Sequence, residues 1–235
     1  MLRRWKNLPE NMRNDAVKPY YEALKKKQLS IAVKRGFDLV AGLLSLIVLS
    51  PIMLVIGAWI RLDSKGPALY RQVRVTRYSK PFRIFKFRTM RTDADRMGSQ
   101  MTVDGDSRIT RAGSMLRARR LDELPQLLNI VRGEMSFVGA RPEVPKYVDT
   151  YTDEMMAVFL LPAGVTSDCS LLYRDEGKLL KDVKDVDGFY IHELLPQKMR
   201  CSLDALMHFG LADDMRVMWR TVRSVIFGKA GNDNG

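Results

Sequence analysis

Two adjacent acids, Asp122 and Glu123, stand among an unusual number of cations. Arg111, Arg117, Arg119 and Arg120 precede them, Arg132 and Arg141 follow, and Lys86 and Arg88 end an earlier stretch, PFRIFKFR. Such company suits a site that handles phosphates: cations neutralise the substrate and let a carboxylate approach an anionic phosphorus. Neighbouring carboxylates on a helix point about 100° apart, so they do not share one proton as an aspartic dyad does. Divided roles suit them better, with one as nucleophile and one holding a hard cation such as Mg²⁺ beside the phosphates. A plainer reading stays open. Asp122 immediately precedes a helical pattern carrying Leu124, Leu127, Leu128 and Val131, with Pro125 in its first turn, and is a natural N-cap.

The other chemistry-bearing residues are sparse. His192 and His208 are too far apart for a helical ligand pair and read as structural. Cys169 and Cys201 show neither CxxC nor metal-ligand spacing; a disulfide is not expected, and a reducing cytoplasm fits. Asp104/Asp106 and Asp185/Asp187 could each hold a metal bridging a diphosphate, as in DxD glycosyltransferases. The strand–helix alternation such enzymes need is missing, as are GxGxxG and Walker loops.

The element that must place the acids is an apolar run over residues 37–60, FDLVAGLLSLIVLSPIMLVIGAWI. As one helix it would rise about 36 Å, enough to cross a hydrocarbon core. Ser50-Pro51 interrupts it. Proline clashes with the carbonyl of Ile47, and the Ser50 hydroxyl is a local partner for that freed carbonyl. Both flanks are basic: Lys25, Lys26, Lys27, Lys34 and Arg35 before, Arg61, Lys65, Arg71 and Arg74 after. That favours both in the cytoplasm, hence a re-entrant hairpin over a kinked single span. Asp38 and Arg61 sit at the edges, where charges reach headgroups. Upstream, Val17, Tyr20, Tyr21 and Leu24 share a helical face beside lysines and read as an interfacial helix, or as an ordinary solvated one.

Downstream, ALYRQVRV and PFRIFKF read as a strand pair, Phe82, Ile84 and Lys86 facing one way and Arg83, Phe85 and Phe87 the other. Helical patterns dominate after residue 90. The expected fold is mainly α with a small antiparallel β-hairpin, a re-entrant helix broken at Ser50-Pro51, and interfacial helices. The expected organisation is an N-terminal extension (1–30), a membrane helix (31–62), a cytoplasmic catalytic domain (63–227) and a flexible tail (228–235). Net charge is +12, which favours anionic partners. A tethered nucleic-acid binder would share that charge, but no nucleic-acid motif appears. A structural scaffold would fit only a decayed acid pair.

These motifs together resemble the bacterial sugar transferases, the monotopic phosphoglycosyl transferases, from about Lys34 to Ile226. The residues that carry the resemblance are Lys34-Arg35 and Asp38, Ser50-Pro51, Lys86 with Arg88 and Met90, Leu116-Arg117, Leu121 to Gln126, Asn129, Gly133 to Ser136, and Val138 to Glu143. The resemblance implies transfer of a sugar-1-phosphate from a UDP-sugar to polyprenol (undecaprenyl) phosphate, releasing UMP, as the first step of a surface glycan. It implies that Asp122 forms a covalent phosphosugar ester and that Glu123 helps bind Mg²⁺. Lys86, Arg88, Arg117, Gln126, Asn129, Arg141, Pro142, Arg174 and Glu176 are the expected contacts to substrate phosphate or nucleotide. It further implies a monotopic protein on the bacterial inner membrane, in contact with lipids, with its domain facing the cytoplasm; a homodimer is compatible. Three departures stand out: Ala140 replaces the first proline of Pro-Arg-Pro, Thr76 replaces a glycine, and Pro162 to Ser167 is a loose version of the family segment. Tyr173, Arg174, Asp175 and Glu176 read as a sugar or nucleotide contact, or as a helix start with first-turn acids.

Overall fold

The computed structural model describes residues 1–94, 102–103, 105–174, 176–180 and 183–227. Asp104, Asp175 and the expected tail at 228–235 lie outside the described residues. Helix α1 (Lys18–Lys25) leads into α2 (Gln28–Asp63), which carries the apolar run. Strands β1 (Leu69–Thr76) and β2 (Lys80–Phe87) form the expected antiparallel hairpin, Gln72 pairing with Ile84. Helices α3 (Arg111–Ala118) and α4 (Leu127–Arg132) follow. Strands β3 (Met135–Val138) and β4 (Ala163–Thr166) then pair in parallel, a contact the sequence pattern did not suggest. Four short helices, α5 (Pro145–Val148), α6 (Asp168–Leu172), α7 (Glu176–Leu179) and α8 (Val186–Phe189), lead to α9 (Leu195–Met207) and α10 (Leu211–Phe227).

Helix α2 is long and apolar enough to cross a membrane, and 11% of its apolar window is buried. Leu44, Ile47, Val48, Leu54 and Val55 are all exposed, so α2 is no core helix of a soluble protein. Pro51 lies inside it, yet α2 is helical without interruption from Gln28 to Asp63, so the expected break at Ser50-Pro51 does not end the helix. The Ser50 hydroxyl donates to the Ile47 carbonyl at 2.8 Å, supplying the partner that Pro51 removes.

The two ends of α2 are held by the same folded domain. Before Pro51, Lys34 pairs with Asp214 of α10 at 2.6 Å. Arg35 donates to the Ile130 and Val131 carbonyls at 2.7 and 3.2 Å, satisfying the C-terminus of α4. Asp38 accepts from the Phe137 amide of β3 at 3.1 Å. After Pro51, Ile56 and Ile60 pack with Phe87 and Leu116. Asp38 is therefore buried in a protein contact and does not reach toward headgroups, correcting that expectation. Its carboxylate is needed because an unpaired buried amide is costly.

A second correction concerns the N-terminal segment. Val17, Tyr21 and Leu24 are buried in the main core with Leu2, Leu8 and Met12, against Val158, Leu160, Leu195 and Met199. The apolar face of α1 meets protein, so α1 is no interfacial helix. Periodicity reports an apolar face and cannot say what covers it. Only Tyr20 of that face stays partly open, its hydroxyl donating to Glu154 at 2.7 Å.

A third correction concerns the cysteines. Cys169 of α6 and Cys201 of α9 form a disulfide, with Cα atoms 5.9 Å apart. Parallel return of the chain through β4 delivers α6 onto α9. That proximity is tertiary, so residue spacing gave no sign of it.

Thr76, which replaces the family glycine, is used structurally. Its hydroxyl donates to the Glu134 carbonyl at 2.7 Å and accepts from the Ala163 amide at 3.1 Å, tying β1 to the N-terminal ends of β3 and β4.

Candidate active site

A cavity of about 1390 Å³ opens between the β1–β2 hairpin, α3, the 121–126 turn and the 141–202 segment. It exceeds the ~300–1,000 Å³ of ordinary ligand pockets, which suits two substrates meeting in one space. Each cation arrives on a different element. Lys86 comes from the end of β2. Arg117 comes from α3, whose close approach to the β2 exit needs Gly113: a Cβ there would lie 2.0 Å from the Thr89 carbonyl oxygen. Arg117 is steadied by donating from Nε to the Thr89 hydroxyl at 2.8 Å. Arg141 follows β3.

The acids sit in a six-residue 3₁₀ segment, Leu121–Gln126, which precedes α4. Arg120 enters it at φ 56°, a left-handed conformation uncommon outside glycine and found at functional sites. Asp122 makes no capping hydrogen bond, so it is not the N-cap the pattern suggested. Tight 3₁₀ winding around Pro125 takes the place of a capped α-turn.

The two carboxylates have unlike surroundings. Glu123 Oε1 receives Lys86 Nζ at 3.1 Å and Arg141 at 2.8 Å. Burial opposes its charge, yet Arg141, Lys86 and Arg120 outweigh burial and hold its carboxyl well below the ordinary range. Among the described residues, none donates a hydrogen bond to the Asp122 carboxylate. Burial and the Glu123 charge push Asp122 upward, against Lys86 and Arg117. One acid is thus a fixed, paired anion, and the other is unpaired, buried and more basic. Environments that split two acids in this way assign them different work.

The expected contacts do not all converge. Lys86, Arg117, Arg141, Arg174 and Glu176 line the cavity with both acids. Arg88 lines it too, but its guanidinium donates to the Ser64, Lys65 and Ile60 carbonyls and so fastens β2 to the end of α2. Arg174 spends its guanidinium on the Ser224 hydroxyl. Gln126 and Asn129 are buried away from the cavity. The Asn129 amide accepts from Phe85 N and donates to the Arg83 carbonyl and the Glu134 carboxylate, stapling α4 to β2. Pro142 lies behind the wall, its carbonyl accepting from Arg74 at 3.0 Å. Glu176 opens α7, as a first-turn acid would, and its side chain also lines the cavity. Of the acid pairs weighed for a DxD site, Asp106 is spent on Arg108, Asp185 caps α8, and Asp187 bonds Lys146 and Tyr147.

The cavity also gathers Glu143, known from the sequence only as the end of a motif, and two residues that sequence reasoning passed over, Tyr190 and Lys198. Tyr190 and Lys198 carried no local motif.

Among the described residues no cluster of three or more His, Cys, Asp or Glu could cage a metal. Two side-by-side carboxylates in a basic cavity suit a cation that takes most of its oxygens from phosphates and water, as Mg²⁺ does.

A membrane-length helix is thus docked at both ends on a domain whose basic cavity holds a split acid pair, chemistry suited to phosphates. The chain belongs to the bacterial sugar transferase family, whose family model matches residues 29–228. It is 32% identical over 199 residues to the UDP-N-acetylgalactosamine-undecaprenyl-phosphate N-acetylgalactosaminephosphotransferase of Aeromonas hydrophila, covering 83% of this chain and 44% of that protein. It is 36% identical over 197 residues to the UDP-glucose:undecaprenyl-phosphate glucose-1-phosphate transferase of Caulobacter vibrioides, covering 82% of this chain and 69% of that one. A putative undecaprenyl-phosphate N-acetylgalactosaminyl 1-phosphate transferase of Bacillus subtilis is 39% identical over 148 residues, covering 63% of this chain and 82% of the relative. The chain thus spans less than half of the Aeromonas relative and about two thirds of the Caulobacter one.

Proposed function

We propose that this chain is a phosphoglycosyl transferase that moves a sugar-1-phosphate from a UDP-sugar to undecaprenyl phosphate, releasing UMP. The observation that carries this reading is the contrast between Asp122, unpaired, and Glu123, clamped by Lys86 and Arg141. Asp122 Oδ attacks the sugar-bearing phosphorus, and the bond to the UMP oxygen breaks. An oxygen of the lipid phosphate then attacks the same phosphorus, breaking the bond to Asp122 and restoring the carboxylate. Lys86, Arg117 and Arg141 neutralise the diphosphate so that an anionic nucleophile can reach it. Glu123 would hold Mg²⁺, whose chemistry there would be charge stabilisation of the departing UMP.

The same reading makes α2 a re-entrant helix that enters and leaves one face of the membrane. Lys34, Arg35 and Asp38 dock on the domain before Pro51, and Ile56 and Ile60 dock after it. A bilayer core of about 30 Å cannot lie between two ends held by one water-facing domain. The basic flanks favour the cytoplasmic face of the inner membrane. Such a device holds the cavity at headgroup depth, where the lipid phosphate lies.

The test is UMP release from a panel of UDP-sugars, with and without undecaprenyl phosphate, by the full chain in lipid nanodiscs, with Mg²⁺ present or chelated. Release with at least one sugar, lost in chelator, supports the reading. No release from any UDP-sugar contradicts it.

A further inference from the structure

The cavity has two chemically different ends. One carries Lys86, Arg117, Arg120 and Arg141 around the acid pair. The other carries Glu143, Glu176, Tyr190 and Lys198. At this second end Lys198 Nζ donates to Glu176 Oε2 at 2.9 Å and to the Tyr190 hydroxyl at 3.0 Å. Tyr190 in turn donates to Glu143 Oε1 at 2.5 Å. Arg74 lies 3.6 Å from the other Glu143 oxygen. Lys198 and Glu143 are almost wholly buried, whereas the Glu176 side chain keeps 25% of its surface open to the cavity.

Stability alone does not account for this chain of groups. Burying ions is expensive, and well-packed apolar residues usually serve a fold as well or better. Tyr190 also sits in a π-helical turn, Tyr190–Leu194, between α8 and α9. Such turns are rare and frequent at functional sites, and this one places the phenol beside Lys198 on the same wall. Burial and Glu143 drive the Tyr190 pKa far up, so the phenol remains a donor and Glu143 remains occupied.

We infer that Glu176 contacts the sugar hydroxyls of the donor substrate and that Lys198, anchored by Tyr190 and Glu143, is the positioning residue that aims it. The inference rests on the proposed transferase reading and assigns the sugar end of that site. Arg74 and Lys198 neutralise Glu143 and Glu176, so the excess positive charge lies with Lys86, Arg117, Arg120 and Arg141, and the phosphates belong there. A neutral, hydroxyl-bearing ring has the complementary chemistry: an ionised carboxylate accepts two hydroxyl hydrogen bonds, stronger than neutral ones. Arg141 joins the two ends, since it donates to Glu123 and also feels the charges of Glu176 and Glu143. A sugar phosphate held by Arg141 therefore extends its ring toward Glu176.

The experiment compares wild type with Glu176→Gln, Lys198→Met and Lys198→Arg in nanodiscs. It measures kcat and KM for UDP-glucose, UDP-galactose, UDP-N-acetylglucosamine and UDP-N-acetylgalactosamine, and inhibition by UDP, which lacks a sugar. For Glu176→Gln the expected result is a KM raised about 10- to 100-fold for the preferred sugar, with kcat changed far less. The preference between epimers should change several-fold, and the Ki of UDP should stay within about twofold. Lys198→Met should show the same pattern, and Lys198→Arg should recover part of it. Equal loss across all four sugars, a parallel rise in the Ki of UDP, or no change would overturn the inference. Should Lys198→Met fail to fold, Glu176→Gln decides, because its side chain is partly open. Should wild type turn over no UDP-sugar, the transferase reading fails, and the ratio of UDP-sugar to UDP binding in wild type and Glu176→Gln then decides the sugar contact separately.

Discussion

Arg141 donates to Glu123 Oε1 at 2.8 Å, and the carboxylate next door in sequence, Asp122, receives no such donor among the described residues. Pairing thus separates the two acids by more than their side-chain lengths do. Glu123 is a permanent anion that holds Lys86 and Arg141 in place. Asp122 feels Lys86, Arg117 and Arg120 only through space, with burial opposing its charge, which suits the nucleophile proposed above.

That imbalance has a stability consequence. Asp122 binds its proton more tightly in the folded chain than in the unfolded one, because burial raises its pKa. Between the unfolded and folded pKa values the native state therefore holds more protons, and this group's contribution to stability falls as pH rises through that window. At pH 7 its ionised form is a net cost. Asp122→Asn should raise the melting temperature at pH 7 or leave it unchanged, and the gain should shrink as pH drops toward the ordinary carboxylate range. Thermal melts of both proteins across pH 4–8 check this. A melting temperature lowered by several degrees at pH 7 would mean that Asp122 has a stabilising partner.

The paired ends of α2 predict a topology. Single cysteines placed at Lys27 and at Lys65, in a Cys169→Ser/Cys201→Ser background, should react with a membrane-impermeant maleimide from the same face of sealed vesicles. Labelling from opposite faces would make α2 a span and break the docking of Lys34 and Asp38, or of Ile60, on the domain.

Leu24 separates a core segment from a lipid-facing one. It is fully buried against the domain. Leu24→Ala should cost about 2–5 kcal/mol in a denaturant titration of detergent-solubilised protein. Loss of vesicle binding with unchanged stability is the opposite result, expected only of an interfacial α1.

The disulfide closes a loop whose ends are 32 residues apart. Chain-entropy reasoning gives such a link about 3–4 kcal/mol, or roughly 10 °C in melting temperature for a chain of this size. Oxidised wild type should melt that much above Cys201→Ser, and dithiothreitol should erase the difference. Free thiols on air-oxidised, unfolded protein would show that the link does not form.

What the sequence disclosed was local chemistry. Asp122-Glu123, Lys86 and Arg141 were readable because the phosphate-handling residue types crowd into short motifs. The β-hairpin was readable from alternation, and the Ser50 contact to Ile47 from the needs of a helix containing proline. Residues whose meaning depends on what lies opposite were not readable. Asn129 belongs to a site motif yet staples α4 to β2, and Arg88 looks like a phosphate ligand yet fastens β2 to α2. The face of α1 is apolar whether lipid or Leu160 covers it. Lys198, Tyr190 and Glu143 meet only because the chain folds α9 and the turn before it against the segment that follows β3, and Cys169 and Cys201 meet by a similar tertiary approach.

In the proposed reaction a carboxylate oxygen of Asp122 holds the phosphosugar. Wild-type protein incubated with its UDP-sugar and Mg²⁺ but no lipid phosphate, quenched and weighed intact, should carry one added phosphosugar. The adduct should map to the peptide containing Asp122, disappear when undecaprenyl phosphate is added, and be absent from Asp122→Asn. An adduct that persists in Asp122→Asn, or turnover to the lipid product by that variant at the wild-type rate, would contradict it.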